Sequence, residues 1–139
     1  MPAETKVPPG YVPAPLDEGF LHLVGPLFSK RTPDGHHVIA FRAGAQHLNR
    51  YGVVHGGMLA VLADVAVGMN MSRVTPQFEA MVTVNLSMDY LGSAHEGAWI
   101  EATPVLTKTG GRVRFGRCDL HADGVLVASA HATFYKRAG

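Results

Sequence analysis

The features that most readily announce a function are scarce in this 139-residue chain. There is a single cysteine, Cys118. That excludes an intrachain disulfide framework and fits a reducing compartment. A lone thiol of this kind reads as a small buried hydrophobe before it reads as a nucleophile. Charge of one sign is lacking too: 12 Lys and Arg stand against 11 Asp and Glu, a formal net charge of +1. Such a balance gives no electrostatic footprint for nucleic acid or for an anionic membrane surface. No apolar run reaches the roughly 18 residues needed to cross a bilayer. The opening MPAETKVPPGYVPAPLDEGF lacks the apolar core of a signal peptide. The expected location is therefore cytoplasmic. No nucleophile elbow, phosphate-binding loop or dinucleotide fingerprint occurs. The eight histidines do not fall at zinc-ligand spacing. His36-His37 sits in a turn and reads as solvated rather than as a metal pair.

Against these absences, 47% of the residues are hydrophobic, enough for one core in one domain. Residues 1 to 15 carry five prolines, and residues 1–14 read as a flexible leader ahead of a single domain over 15–139. Leu16, Phe20, Leu23 and Val24 recur at helical spacing, predicting a short helix between Pro15 and Val24. GPLFSKRT and HVIAFRA read as strands around the turn PDGHH. In MVTVNLSMDY, Val82, Val84, Leu86, Met88 and Tyr90 alternate with Thr83, Asn85, Ser87 and Asp89, which is strand periodicity with one more apolar face. WIEATPVLTK, RVRFGRCDL and VLVASAHATFY follow, joined by the hairpin signals TGG and HADG. The expectation is two strands, one long helix and a four-strand antiparallel meander.

That long helix is HGGMLAVLADVAVGMNM, residues 55 to 71, whose one charged side chain is Asp64. A helix apolar on nearly every side must be buried on nearly every side. In a chain this small, a curved antiparallel sheet wrapped around the helix achieves that, an α+β architecture. A carboxylate there needs hydrogen-bond partners or loses its charge. It could cap something, lie on one wet edge, or do chemistry. The other end of the helix bears on the choice. His55-Gly56-Gly57 stands where unpaired N–H groups and the positive dipole end meet, and glycine admits a ligand close to the backbone. That suits an oxyanion hole, which stabilises a carbonyl oxygen as it becomes negative.

Asn49, His55-Gly56-Gly57 and Leu62-Ala63-Asp64, taken with the strand VTVNLSMDYL, resemble the N-x5-HGG-x4-L-x-D signature of hotdog-fold acyl-CoA thioesterases of the phenylacetate-degradation (PaaI) type. The resemblance runs from about Pro15 to Tyr135. It implies a sheet around one helix, subunits paired into dimers and commonly tetramers, and hydrolysis of an acyl-CoA thioester without metal or organic cofactor. It implies Asp64 as general base or nucleophile and the Gly56 N–H as the group polarising the carbonyl. Asn49 would orient substrate or water, His55 would support the loop, and the Thr83 hydroxyl would contact the carboxylate or the water. Lys108, Arg112 and Arg114 around the TGG turn are candidates for the phosphates of coenzyme A, with a solvated hairpin as the plain alternative.

Helix geometry adds a constraint of its own. Gly56 and Asp64 are eight residues apart, about 12 Å at 1.5 Å per residue, whereas a base acts within roughly 3 Å of its proton. One helix cannot bring both to one carbon, but two antiparallel helices related by a two-fold axis can. The active site is thus expected between subunits, with the dimer obligatory. Two other readings stand beside hydrolysis: a hotdog hydratase or dehydratase, and a non-catalytic acyl-CoA-binding module. The first usually pairs a histidine with an acid in a different context. The second leaves the desolvation of Asp64 uncompensated.

Overall fold

The computed structural model describes residues 6–16 and 18–138. One antiparallel sheet curls around one helix. The strands are β1 (Val12–Pro13), β2 (Phe28–Arg31), β3 (His37–Arg42), β4 (Met81–Tyr90), β5 (Trp99–Lys108), β6 (Val113–Ala122) and β7 (Val125–Lys136). The helices are α1 (Phe20–Val24) and the long α2 (Gly56–Met71), with a 3-10 turn at Ala45–His47. The sheet order is β1-β2-β3-β5-β6-β7-β4, every neighbouring pair antiparallel. Asp123 and Gly124, both at positive φ, make the tight turn between β6 and β7.

The helix is the core's axis. Leu62, Ala63, Ala66, Val67 and Met71 are wholly buried, meeting Ile39, Phe41, Ile100 and Leu120 from the sheet. Besides Gly56 at its first position, the residues left uncovered on α2 are Gly57, Ala60, Val61, Asp64, Val65 and Gly68, which recur at i, i+3 and i+4 as one stripe. Within a single chain, then, the helix is enclosed on all but one side. No helix among the described residues is long and apolar enough to cross a membrane.

Three expectations are corrected. The last four strands are not a meander: β5, β6 and β7 form one, but β4 pairs only with β7 and takes the far edge. Turn signals define hairpins, whereas the chain between Tyr90 and Trp99 crosses from one edge to the middle. The first helix begins at Phe20, not Pro15, because Gly19 turns the backbone to φ 58° immediately before it. The leader expected over 1–14 is held at its end. Val12 and Pro13 pair with β2, and buried Tyr11 packs edge-on against Trp99 at 5.0 Å and donates to the Glu101 carboxylate. A second small core forms there, from Tyr11, Phe28, Val38, Ala40 and Trp99. Residues 1–5, also assigned to the leader, lie outside the described residues.

In β4 the alternation slips once. Thr83 stands opposite Phe134 and Asn85 opposite Thr133, so Val84 is an extra residue with no partner. A bulge of this kind moves everything beyond it by one residue. Thr83, Leu86, Met88 and Tyr90 consequently face the helix together, opposite Phe134, Ala132, Ala130 and Ala128, all buried. The sequence reading puts Thr83 on the other face from Leu86, and the bulge brings them onto one.

Candidate active site

Asp64 lies midway along the uncovered stripe of α2. The Thr83 hydroxyl donates to its Oδ1 at 2.5 Å. Among the described residues no other side chain bonds to the carboxylate, so Oδ2 is left for a ligand. Two cavities meet at Asp64. One, of about 410 Å³, runs toward the end of α2 between Leu16, Leu21, Met69, Phe78, Met81 and Phe134, with Thr83 in its wall and Arg73 at its far end. The other, of about 450 Å³, runs back toward Gly57 between Phe20, Ala60, Val61 and Leu86. Both are predominantly apolar, the usual character of a small-molecule site with a few polar groups placed in it.

The N-terminus of α2 is built separately. His55 caps it: the Gly57 N–H donates to His55 Nδ1 at 2.8 Å, while the His55 N–H donates to the His47 carbonyl at 2.8 Å. The Met58 and Leu59 N–H groups turn back to the His55 carbonyl. That leaves the Gly56 N–H with no acceptor among the described residues. A Cβ at Gly56 would stand 3.1 Å from Tyr90 Cζ, so glycine is what lets the strand approach. The Tyr90 hydroxyl donates to the Gly56 carbonyl at 2.6 Å, and burial raises its pKa, keeping it a donor.

Asn49 shapes the loop ahead of the helix. Its Oδ1 accepts from the Tyr51 N–H at 2.9 Å and the Val53 N–H at 3.3 Å, an Asx turn. Its Nδ2 has no acceptor among the described residues.

The expected site residues therefore fall into two groups. Asp64 and Thr83 come together in one contact, and Asn49, His55 and Gly56 gather around the helix start. Within one chain the groups are held apart by eight residues of α2. Of the expected phosphate ligands, two are committed elsewhere. Arg114 is buried and makes a two-pronged ion pair with Glu79 at 3.0 and 2.9 Å, while its Nε donates to the Gly111 carbonyl. Lys108 donates to the carbonyls of Gly110 and Val113 and closes its own turn. Arg112 lines a cavity of about 460 Å³ with Lys136 and Arg137. A buried guanidinium in this setting is held by its carboxylate partner.

Tyr90 and His47 escape sequence reasoning. His47 is buried, accepting from the Gly44 N–H at Nδ1 and donating from Nε2 to the Val24 carbonyl at 2.6 Å, so it ties α1 to the loop. A lone histidine in the loop over residues 44–54 gives no such signal. Tyr90 could have been found by extending the helix-facing side of β4 to its last residue. Among the described residues, no group of three or more His, Cys, Asp or Glu is placed to hold a metal ion.

Comparison with known proteins adds to this geometry. Residues 51–129 match the family model described as the thioesterase superfamily. A provisionally named esterase of Pseudomonas aeruginosa is 40% identical over 132 residues, covering 94% of this chain and 97% of its own length. A Bacillus halodurans protein solved with CoA superposes with a TM-score of 0.73 at 25% identity, covering 80% of this chain and 74% of that one. A variant of the phenylacetic acid degradation protein PaaI from Thermus thermophilus gives a TM-score of 0.69 at 29% identity, over 80% of this chain and 93% of that one.

Proposed function

Because the chain belongs to the thioesterase superfamily, we propose that it hydrolyses an acyl-CoA thioester to the free acid and coenzyme A. The observation that carries this reading is the Asp64–Thr83 pair at the junction of two apolar cavities, on a helix whose start offers an uncommitted Gly56 N–H. The relative solved with CoA supports the choice of thiol.

In this reading the thioester carbon lies beside Asp64. Asp64 Oδ2 takes the proton of a water as its oxygen attacks the carbon, or itself attacks to give an anhydride that water then opens. In either course the C–S bond breaks and the sulfur leaves as the coenzyme A thiol, taking up a proton. The negative charge gathering on the carbonyl oxygen meets the Gly56 N–H, aligned with the helix dipole. Thr83 fixes the carboxylate's rotation through Oδ1 and leaves Oδ2 to react.

Since about 12 Å of helix separates Gly56 from Asp64, each site takes Asp64 and Thr83 from one subunit and Gly56 and Asn49 from the other. Support comes from the uncovered stripe on α2, apolar except for Asp64, and from β4, a ten-residue strand at the open edge of the sheet. The dimer pairs these edges and antiparallel helices, and two dimers join into a tetramer. Thiol release from a panel of acyl-CoAs tests the activity. A protein that forms dimers and releases no thiol from any of them would overturn it.

A further inference from the structure

The positive charge of the chain is concentrated where α2 ends. Two cavities flank the β5–β6 turn there, and each holds two guanidiniums with no acceptor among the described residues, Arg112 and Arg137 in one, Arg31 and Arg73 in the other. On one side Arg114 and Lys136 both bond to Glu79, at 2.9 Å in their ion pairs. On the other side a cavity of about 500 Å³ opens between the Thr32–His36 turn and the last turn of α2, lined by Arg31, His36, His37, Asn70, Arg73 and Thr109. Its one acid among the described residues, Asp34, is tied into its own turn, accepting from the Thr32 hydroxyl and the His36 N–H. Arg31 and Arg73 are exposed, and neither guanidinium has an acceptor among the described residues.

Two further observations single this cavity out. Arg73 also lines the cavity that holds Asp64 and Thr83, so the two share a wall. The cavity of Arg112 and Arg137 shares no lining residue with it. The His37 imidazole, which faces the same cavity, is held below its usual range first by burial and then by the charges of Arg73, Arg31 and His36. Planar guanidinium forks match phosphate oxygens in pairs.

Resting on the thioesterase reading, we propose that this cavity binds phosphate groups of the coenzyme A portion of the substrate, with Arg31 and Arg73 as the donors. The substrate then runs from the phosphates, past Arg73, along the apolar cavity to a thioester at Asp64. The phosphate subsite lies at the end of α2 and not at the β5–β6 hairpin.

The test is calorimetric titration of free coenzyme A, and of pantetheine, which has no phosphate, into the wild type and an Arg31→Ala/Arg73→Ala double variant. Both side chains are exposed and without an acceptor among the described residues, so the variant should keep its fold, as circular dichroism will check. Losing charge-assisted hydrogen bonds should weaken coenzyme A binding by roughly 10- to 100-fold and leave pantetheine unchanged. Equal coenzyme A affinity in the two proteins overturns the proposal, as does equal loss for both ligands or a wild type that binds no coenzyme A. If the variant keeps its coenzyme A affinity but loses turnover of a thioester on an acidic carrier protein, the site belongs to that carrier and the proposal fails. Thiol release is scored separately. A wild type that binds coenzyme A through these arginines yet hydrolyses nothing would sink the thioesterase reading and leave the subsite standing.

Discussion

Asp64 and Glu79 are two carboxylates on the same side of the sheet with opposite circumstances. Glu79 is bracketed by the Arg114 guanidinium and the Lys136 ammonium, which hold its pKa at about 2. Asp64 has one uncharged donor, Thr83, and faces two apolar cavities. A carboxylate clasped by two cations is a structural anion, because every lone pair that could take a proton already has a better partner. One oriented by a hydroxyl alone keeps an oxygen free to react. Under the proposed hydrolysis, their surroundings, not their chemical type, separate the two carboxylates.

The sharpest way to break this contrast is Asp64→Asn, which keeps size and hydrogen bonding but removes the base. Turnover should fall by roughly 10²-fold or more with the melting temperature little changed. Near wild-type rates would make Asp64 as structural as Glu79. A second experiment asks whether Asp64 works across the proposed subunit boundary. Asp64→Asn and Asn49→Ala chains, each inactive, are unfolded together and refolded. If about half the dimers are mixed and each holds one intact site of two, activity should return to about 25% of wild type by symmetry. A mixture as dead as its parents, with exchange confirmed by mass, would place both groups in one chain.

Smaller effects sharpen the comparison. Thr83→Ala should lower kcat by roughly 10-fold, since a hydroxyl that orients contributes less than the group it orients. An unchanged kcat would show that Asp64 needs no positioning. For Glu79→Gln, activity at neutral pH should persist while acid stability changes. Glu79 titrates near 2 in the folded chain against about 4.3 when unfolded. Its contribution is thus complete above about pH 4.3 and is lost as pH falls from there toward 2. Thermal melts should show wild type losing more stability than the variant across that window, and parallel curves would contradict the pairing.

How much of this was legible in the sequence depended on distance along the chain. The helix, Asp64 on it, and the His55-Gly56-Gly57 start lie within ten residues of one another, so periodicity and capping chemistry expose them. The separation of Gly56 from Asp64 follows from helix rise alone. What stayed hidden is held by long-range contacts. Arg114 reads as a free hairpin cation until Glu79, 35 residues away, is found against it. Tyr90 reaches Gly56 across 34 residues. The edge position of β4 has no local signature, because strand order is decided by which apolar faces close on the helix. Thr83 came by way of the resemblance; strand alternation alone assigns it to the wrong face, since a bulge leaves no mark in a run such as Thr-Val-Asn.

That extra residue has a further consequence. Because Val84 has no opposite number, β4 behaves as two tracks out of phase by one step. The track before it fixes Thr83 against the carboxylate, and the track after it sets Leu86, Met88 and Tyr90 along the helix. Deleting Val84 would merge the two tracks into one plain alternation, with Thr83 still opposite Phe134 and Leu86 still opposite Ala132. The strand is modular at that point. Descendants of this sequence could gain or lose that one residue while inheriting the Asp64–Thr83 contact and the helix-facing row beyond it unchanged.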